Sequence, residues 1–138
     1  MKLVFDSSVA LKWVVPETDS DKADALRNDF LTGAAELIAP DIFPIEAAHA
    51  LTRAERQLRV SVGQARILLA DLLSTCPRLY SYQPLLSRAV DISSQLRIGV
   101  YDCLYLALAE QEGCDFVTAD TRLVANASKQ FPFVVNLS

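Results

Sequence analysis

The first nine residues constrain the fold more than any other stretch of the chain. Leu3, Val4 and Phe5 form a short apolar run typical of a buried strand, and Asp6 follows directly. An apolar helical pattern begins at Val9. A strand that ends in an acid and turns straight into a helix brings that carboxylate to the carboxyl edge of a sheet. Open α/β folds bind their ligands at this edge, so we ask which other acids the fold brings there.

Length and composition predict one globular domain spanning residues 1–138. Hydrophobic residues make up 51% of the chain and charged residues 22%, which excludes a disordered protein. No basic signal region and no long apolar run is found, so we expect a soluble, cytoplasmic protein without membrane contact. Three cysteines favour reduced thiols over disulfides or zinc, and a lone histidine, His49, cannot build a His-based metal cluster.

The net charge of −4 argues against a protein that binds nucleic acid through overall positive charge. This argument is weak, because several acids gathered at one site would make the total acidic while basic residues elsewhere still met phosphates. The charge therefore leaves nucleic-acid chemistry open.

Short apolar strands alternate with helical patterns along the whole chain. We predict strands at 3–5, 37–39, 78–80, 115–118 and 133–136, and helices at 9–15, 20–32, 43–58, 62–74, 84–96, 101–112 and 120–128. The helix at 101–112 is apolar on nearly every side, so we expect it to be central and buried. Such alternation predicts an α/β domain with a parallel sheet.

Four acids stand out by their positions in this pattern. Asp6 and Asp120 each follow a strand, so both lie at the carboxyl edge of a parallel sheet. Glu46 and Asp102 lie in the first turns of helices that follow connections leaving that edge. For any one of these acids, a helix cap or a dipole partner is the simpler interpretation. For all four together we favour a shared site, whereas Asp115 precedes its strand and is interpreted as structural.

A cluster of carboxylates limits the chemistry that such a site can perform. Two carboxylates about 4 Å apart repel each other by roughly 4 kcal/mol at an effective dielectric constant near 20, so protons or cations must enter the cluster. Oxygen ligands without histidine or cysteine suit Mg²⁺ or Mn²⁺ rather than Zn²⁺. Because such an ion orients a phosphate and activates a water, the cluster predicts metal-dependent phosphodiester hydrolysis.

Several polar residues near the acids have either a role in the site or a purely structural role. Ser8 and Thr118 are candidates to orient a carboxylate, a metal-bound water or a substrate phosphate, and helix capping is an equally good interpretation. Three arginines follow Glu46 along or just beyond its helix, and one helical face carries Glu46, Ala50, Arg53 and Gln57. These arginines are candidates to guide an RNA backbone, although a solvated or partner-facing surface is the simpler interpretation; they are Arg53, Arg56 and Arg59.

Taken in order, four segments resemble the PIN domain, and within that family the VapC-type toxins of bacterial and archaeal toxin–antitoxin pairs. The likeness covers nearly the whole chain, and no single motif decides it. The segments are the strand and helix at 4–13, the helix that carries Glu46, the run at 101–109, and the strand with its acid at 116–120.

The resemblance implies a three-layer α/β/α fold around a parallel sheet of four or five strands. It also implies an endoribonuclease that depends on Mg²⁺, with Mn²⁺ as the alternative. Asp6, Glu46, Asp102 and Asp120 match the acidic quartet of the family, and Ser8 matches its small hydroxyl position. The counterparts of Asp6 and Asp102 are the usual metal ligands, and the other two acids complete the cluster. Homodimers and a small cognate antitoxin that blocks the acidic site are the partners that the resemblance implies.

Three functions stay open at this stage. The first is a ribonuclease toxin that hydrolyses RNA phosphodiester bonds with metal-activated water. The second is a PIN-domain nuclease that acts in RNA processing, or on DNA, outside any toxin system; a small adjacent reading frame for an antitoxin would separate these two. The third is a non-catalytic interaction module that keeps the acids as helix caps, under which Asp6→Asn would leave the biological effect intact.

Overall fold

The computed structural model describes residues 1–138 as five strands and seven α-helices. The strands are β1 (Lys2–Phe5), β2 (Glu36–Pro40), β3 (Arg78–Tyr80), β4 (Asp115–Thr118) and β5 (Val134–Asn136). The helices are α1 (Ser7–Val14), α2 (Ser20–Leu31), α3 (Phe43–Arg56), α4 (Ala65–Leu73), α5 (Leu86–Leu96), α6 (Val100–Glu112) and α7 (Thr121–Ala127), and a 3₁₀ turn (Gln83–Leu85) precedes α5.

All five strands run parallel in the order β3-β2-β1-β4-β5, with β1 at the centre. The chain builds outward from β1 to β3 and then returns to form β4 on the other side of β1. The strand order therefore reverses between β1 and β4, and this topological switch point is where open α/β sheets bind ligands. Phe5 pairs with Val117 across these two strands, so Asp6 and Thr118 follow at the same level of the switch point.

The helices form a layer on each face of the sheet. Right-handed crossovers put α1 to α4 on one face and α5 to α7 on the other. Contacts of α1 with α2, α3 and α4, and of α5 with α6, agree with these two layers. The parallel sheet and the three-layer α/β/α fold expected from the sequence are confirmed, and the sheet has five strands.

Two aromatic contacts fix the helices that carry the acids. The Phe5 ring lies 5.4 Å from the Trp13 ring of α1 and 5.2 Å from the Phe43 ring of α3, centroid to centroid. Because all three side chains are buried, they hold α1 and α3 against the central strand. On the other face, seven consecutive residues of α6, from Cys103 to Ala109, are buried, which confirms the predicted central helix.

The prediction for the fourth helix was wrong at its start. The helix begins at Ala65 rather than Val62, and the preceding residues form a turn. The Glu55 carboxylate reaches back from α3 and accepts hydrogen bonds from the backbone N–H groups of Gly63 (2.7 Å) and Ala65 (3.0 Å). A side chain of the preceding helix thus satisfies N–H groups at the start of α4, a partner that the pattern within α4 does not reveal.

Two smaller expectations concern the cysteines and membranes. The three cysteines were expected to be packed in the core; Cys103 is buried and Cys114 half-buried, whereas Cys76 is exposed. None of the helices combines the length and hydropathy that a membrane-spanning segment requires.

Candidate active site

Asp6 is the buried centre of the candidate site. It is the N-cap of α1 and exposes 7% of its surface. Its Oδ1 accepts hydrogen bonds from the backbone N–H (3.2 Å) and the hydroxyl (2.5 Å) of Ser8, and its Oδ2 accepts one from the Thr118 hydroxyl (2.7 Å). Three donors therefore fix the orientation of this carboxylate, and all three belong to the sequence-predicted Ser8 and Thr118.

The two hydroxyls also join the elements on either side of the switch point. Ser8 Oγ accepts the backbone N–H of Ala119 at 2.9 Å, and Thr118 Oγ1 accepts that of Asp120 at 3.1 Å. The two hydroxyl oxygens lie 3.2 Å apart. Because each hydroxyl accepts from the backbone and donates to Asp6, neither is a simple helix cap, and together they lock the start of α1 to the end of β4.

Asp120 caps α7 with only one of its carboxylate oxygens. Its Oδ1 accepts the backbone N–H groups of Arg122 (3.0 Å) and Leu123 (3.1 Å), whereas Oδ2 accepts no hydrogen bond. The side chain is exposed. Capping and ligand binding are therefore compatible at Asp120, because each role uses a different oxygen.

Glu46 and Asp102 are half-buried acids in the first turns of α3 and α6. The hydroxyl of Tyr105 donates to Glu46 Oε1 at 2.6 Å. Tyr105 is 1% exposed, and its ring stacks on that of Phe116 with centroids 5.7 Å apart. This contact joins a helix of one layer to a helix of the other. Asp102 makes no hydrogen bond through its carboxylate, so both its oxygens remain available.

The pKa values show that the acids act on one another. Burial, helped by the nearby charges of Asp102 and Glu46, raises the pKa of Asp6 to about 7, and the hydrogen bonds from Ser8 and Thr118 oppose the rise. Burial and the charge of Asp102 raise the pKa of Glu46, against the Tyr105 hydrogen bond. Burial and the charge of Asp120 raise the pKa of Asp102. The four acids thus form one electrostatic cluster.

No basic side chain neutralises this cluster. The structure contains seven ion pairs between side chains, and none of them includes Asp6, Glu46, Asp102 or Asp120. Carboxylates that are buried and close to one another are costly without a counter-charge. The cluster therefore has the electrostatics of a cation site.

The donor set fits Mg²⁺ or Mn²⁺ rather than a metal held in a closed protein cage. No three side chains of His, Cys, Asp or Glu converge closely enough to enclose an ion by themselves. Mg²⁺ usually keeps several waters and binds directly to one or two carboxylates, so an open cluster of oxygen ligands suits it. The structure thus brings Asp6, Ser8 and Thr118 into direct contact. It holds Glu46, Asp102 and Asp120 within electrostatic reach, without hydrogen bonds between the acids.

Beside the acids a groove of about 730 Å³ opens between α1 and α3. Ser8 and Glu46 line it together with Ala50, Arg53 and Gln57, so the helical face predicted for α3 is confirmed. Arg59 also lines this α1–α3 groove, whereas Arg56 does not.

Tyr105 is the residue of the site that sequence reasoning missed. It lies in the apolar run of α6, where the sequence pattern predicts that an aromatic residue belongs to the hydrophobic core. A buried tyrosine hydroxyl nevertheless requires a hydrogen-bond partner, and Asp102 lies one helical turn before it. This requirement could have indicated that Tyr105 contacts a polar group of the site. The sequence could not identify the partner, because Glu46 lies 59 positions away.

Comparison with known proteins agrees with this geometry. The family model described as PIN domain matches residues 3–129. Ribonuclease VapC3 of Pyrobaculum aerophilum is 30% identical over 137 residues, which cover 98% of each chain. Ribonuclease VapC1 of Mycobacterium tuberculosis is 37% identical over 89 residues, which cover 63% of this chain and 65% of the relative.

A solved structure supports the fold independently. The crystal structure of PAE2754 from Pyrobaculum aerophilum matches 99% of this chain and 92% of its own, with a TM-score of 0.69 and 22% sequence identity. The family model and the full-length similarity to Ribonuclease VapC3 decide the assignment. The chain therefore belongs to the PIN-domain family, and within it to the VapC-type ribonucleases.

Proposed function

We propose that this protein is an endoribonuclease that depends on Mg²⁺ or Mn²⁺ and acts as the toxin of a toxin–antitoxin pair. The observation that carries the proposal is the cluster of four carboxylates without a basic partner at the switch point of the sheet. We propose that it acts in the cytoplasm, where it would meet cellular RNA.

Each residue of the cluster has a role in this proposal. Asp6 and Asp102 hold the ion, and Glu46 and Asp120 complete the site. A bound Mg²⁺ or Mn²⁺ supplies the activated water and the positive charge that phosphodiester hydrolysis requires. Ser8 and Thr118 keep Asp6 in one orientation, and the Tyr105 hydroxyl does the same for Glu46.

Partners follow from the same family membership. We propose that a small antitoxin covers the acidic site and that the protein forms a homodimer. Three exposed apolar side chains, at the turn between α3 and α4 and on α4, are the candidates for such an interface; they are Leu58, Val62 and Ile67.

Purified, antitoxin-free protein is expected to cleave a mixed pool of structured RNA in Mg²⁺ or Mn²⁺ and not in EDTA. Asp6→Asn and Asp102→Asn should each abolish cleavage, because each removes a negatively charged ligand. Asp115→Asn is the matched control: Asp115 lies at the other end of β4, and its loss should leave cleavage intact. Gel analysis of the labelled pool with folded variants measures this.

The alternatives give different results in that assay. Cleavage of single-stranded DNA but not RNA would favour a nuclease outside the toxin system. Absence of cleavage of any nucleic acid by folded wild-type protein would favour a non-catalytic interaction module.

The buried Asp6 carboxyl should make the metal-free protein less stable as the pH rises. Its pKa is 3.8 ordinarily and about 7 in the folded protein, so between these values the folded state holds a proton that the unfolded state has lost. The free energy of unfolding therefore falls as pH rises through this range and stays reduced above it. In EDTA at about pH 8, Asp6→Asn should raise the free energy of unfolding by at most about 4 kcal/mol. This limit follows from the difference between the two pKa values, because each pKa unit corresponds to about 1.36 kcal/mol.

Urea denaturation at two pH values measures the difference. The advantage of the variant should vanish at about pH 3, below the ordinary pKa, where Asp6 is largely protonated in both states. Mg²⁺ should stabilise only the wild type. A variant less stable than the wild type at about pH 8 would mean that ionised Asp6 stabilises the fold as a cap, against the proposal.

Tyr105→Phe should slow cleavage without weakening RNA binding. The phenyl ring keeps the stacking on Phe116, and the variant loses only the hydrogen bond to Glu46, so we expect kcat to fall about tenfold with KM unchanged. Tyr80→Phe is the matched control, because it removes a similar bond, to Glu112, away from the site. Equal kcat values for the two variants would contradict the positioning role of Tyr105.

A further inference from the structure

The α1–α3 groove adjoins the acid cluster, and the two share part of their lining. Ser8 and Glu46 line the groove and also contact residues of the site. A ligand bound in the groove would therefore reach the carboxylates of the acid cluster. The other residues that line the groove indicate which kind of ligand it binds.

Arg53 is a free cation within this groove. It lies two helical turns after Glu46 on the same face of α3, roughly 10 Å along the helix axis. Its guanidinium is exposed and forms no ion pair or hydrogen bond with the protein. Arg59, which also lines the groove, is instead paired with Glu17 at 2.5 Å. The groove thus offers one uncommitted positive charge to a ligand.

Tyr101 and Ile45 form an exposed apolar wall near the acids. They expose 62% and 72% of their surfaces, and both line the groove. Tyr101 directly precedes Asp102 in α6, which places an aromatic ring next to the acid cluster. An exposed aromatic ring near an unpaired arginine is typical of surfaces that stack unpaired nucleic-acid bases.

We propose that the α1–α3 groove receives single-stranded RNA and leads it to the acid cluster, with Arg53 on a backbone phosphate and Tyr101 stacked on a base. This inference rests on the proposed ribonuclease function and adds the path of the substrate. A protein segment would match the apolar wall, whereas RNA would use both the apolar wall and the unpaired guanidinium. The free guanidinium of Arg53 and the exposed ring of Tyr101, in a groove that adjoins the acid cluster, therefore favour RNA.

Binding of a fluorescent single-stranded RNA of random sequence to the cleavage-inactive Asp6→Asn protein tests the proposal by anisotropy. Adding Arg53→Gln should weaken binding about tenfold and reduce the slope of log K against log salt concentration by about 0.7, as expected for one lost phosphate contact. Adding Tyr101→Ala should weaken binding at least about fivefold, and Tyr101→Phe should preserve it.

The matched control is Arg56→Gln in the same background. Arg56 is an exposed, unpaired arginine of the same helix that lies outside the groove, so its loss should change the affinity less than twofold. Equal effects of the two arginine substitutions, or RNA binding that neither Arg53→Gln nor Tyr101→Ala weakens, would overturn the proposal. The second result would assign the groove to a protein partner. Absence of any RNA binding would also overturn it.

The outcome is separable from that of the proposed function. RNA cleavage by the wild type, with binding insensitive to Arg53 and Tyr101, would reject the groove alone. Binding that depends on both residues, in a protein that cleaves no RNA, would support the groove and reject the nuclease.

Discussion

The hydrogen bonds from Ser8 and Thr118 to the buried Asp6 carboxylate are the interaction on which the site depends. They join the ends of the two central strands at the point where the strand order reverses. Because both hydroxyls also accept backbone N–H groups beyond β4, the contact fixes the start of α7 and with it Asp120. The fold thus creates the switch point, and the two hydroxyls orient the Asp6 carboxylate there and position Asp120 beside it.

The same arrangement opposes the stability of the fold. Burial and neighbouring charges favour the protonated form of Asp6, and no basic side chain relieves this cost. The surrounding core holds the acid in place, since Phe5 fixes α1 and α3 through two aromatic contacts and Tyr105 joins Glu46 to the opposite helical layer. Functional sites typically lower the stability of the fold locally, and the packing of the surrounding core compensates for this loss. Here the cost is greatest for the metal-free protein.

The sequence predicted those features that depend on local order along the chain. A strand followed by an acid appears at Asp6 and again at Asp120, so the shared edge could be inferred without coordinates, and the parallel α/β fold followed from the alternation of elements. Features that depend on distant partners were not accessible. Glu55 accepts the N–H groups of Gly63 and Ala65 where α4 begins, and the pairing of Arg59 with Glu17 leaves Arg53 as the free arginine of the groove. Roles for the four acids stay predictions.

The central claim is that the acid cluster binds a divalent ion. Crystals of the metal-free protein soaked in Mn²⁺, with anomalous diffraction collected at the manganese edge, test it most directly. The account predicts an anomalous peak within ligand distance of Asp6 and Asp102, with Glu46 and Asp120 around it, and no such peak in Asp6→Asn crystals. A wild-type crystal with no peak at the cluster, or with its strongest peak at another carboxylate, would contradict the account.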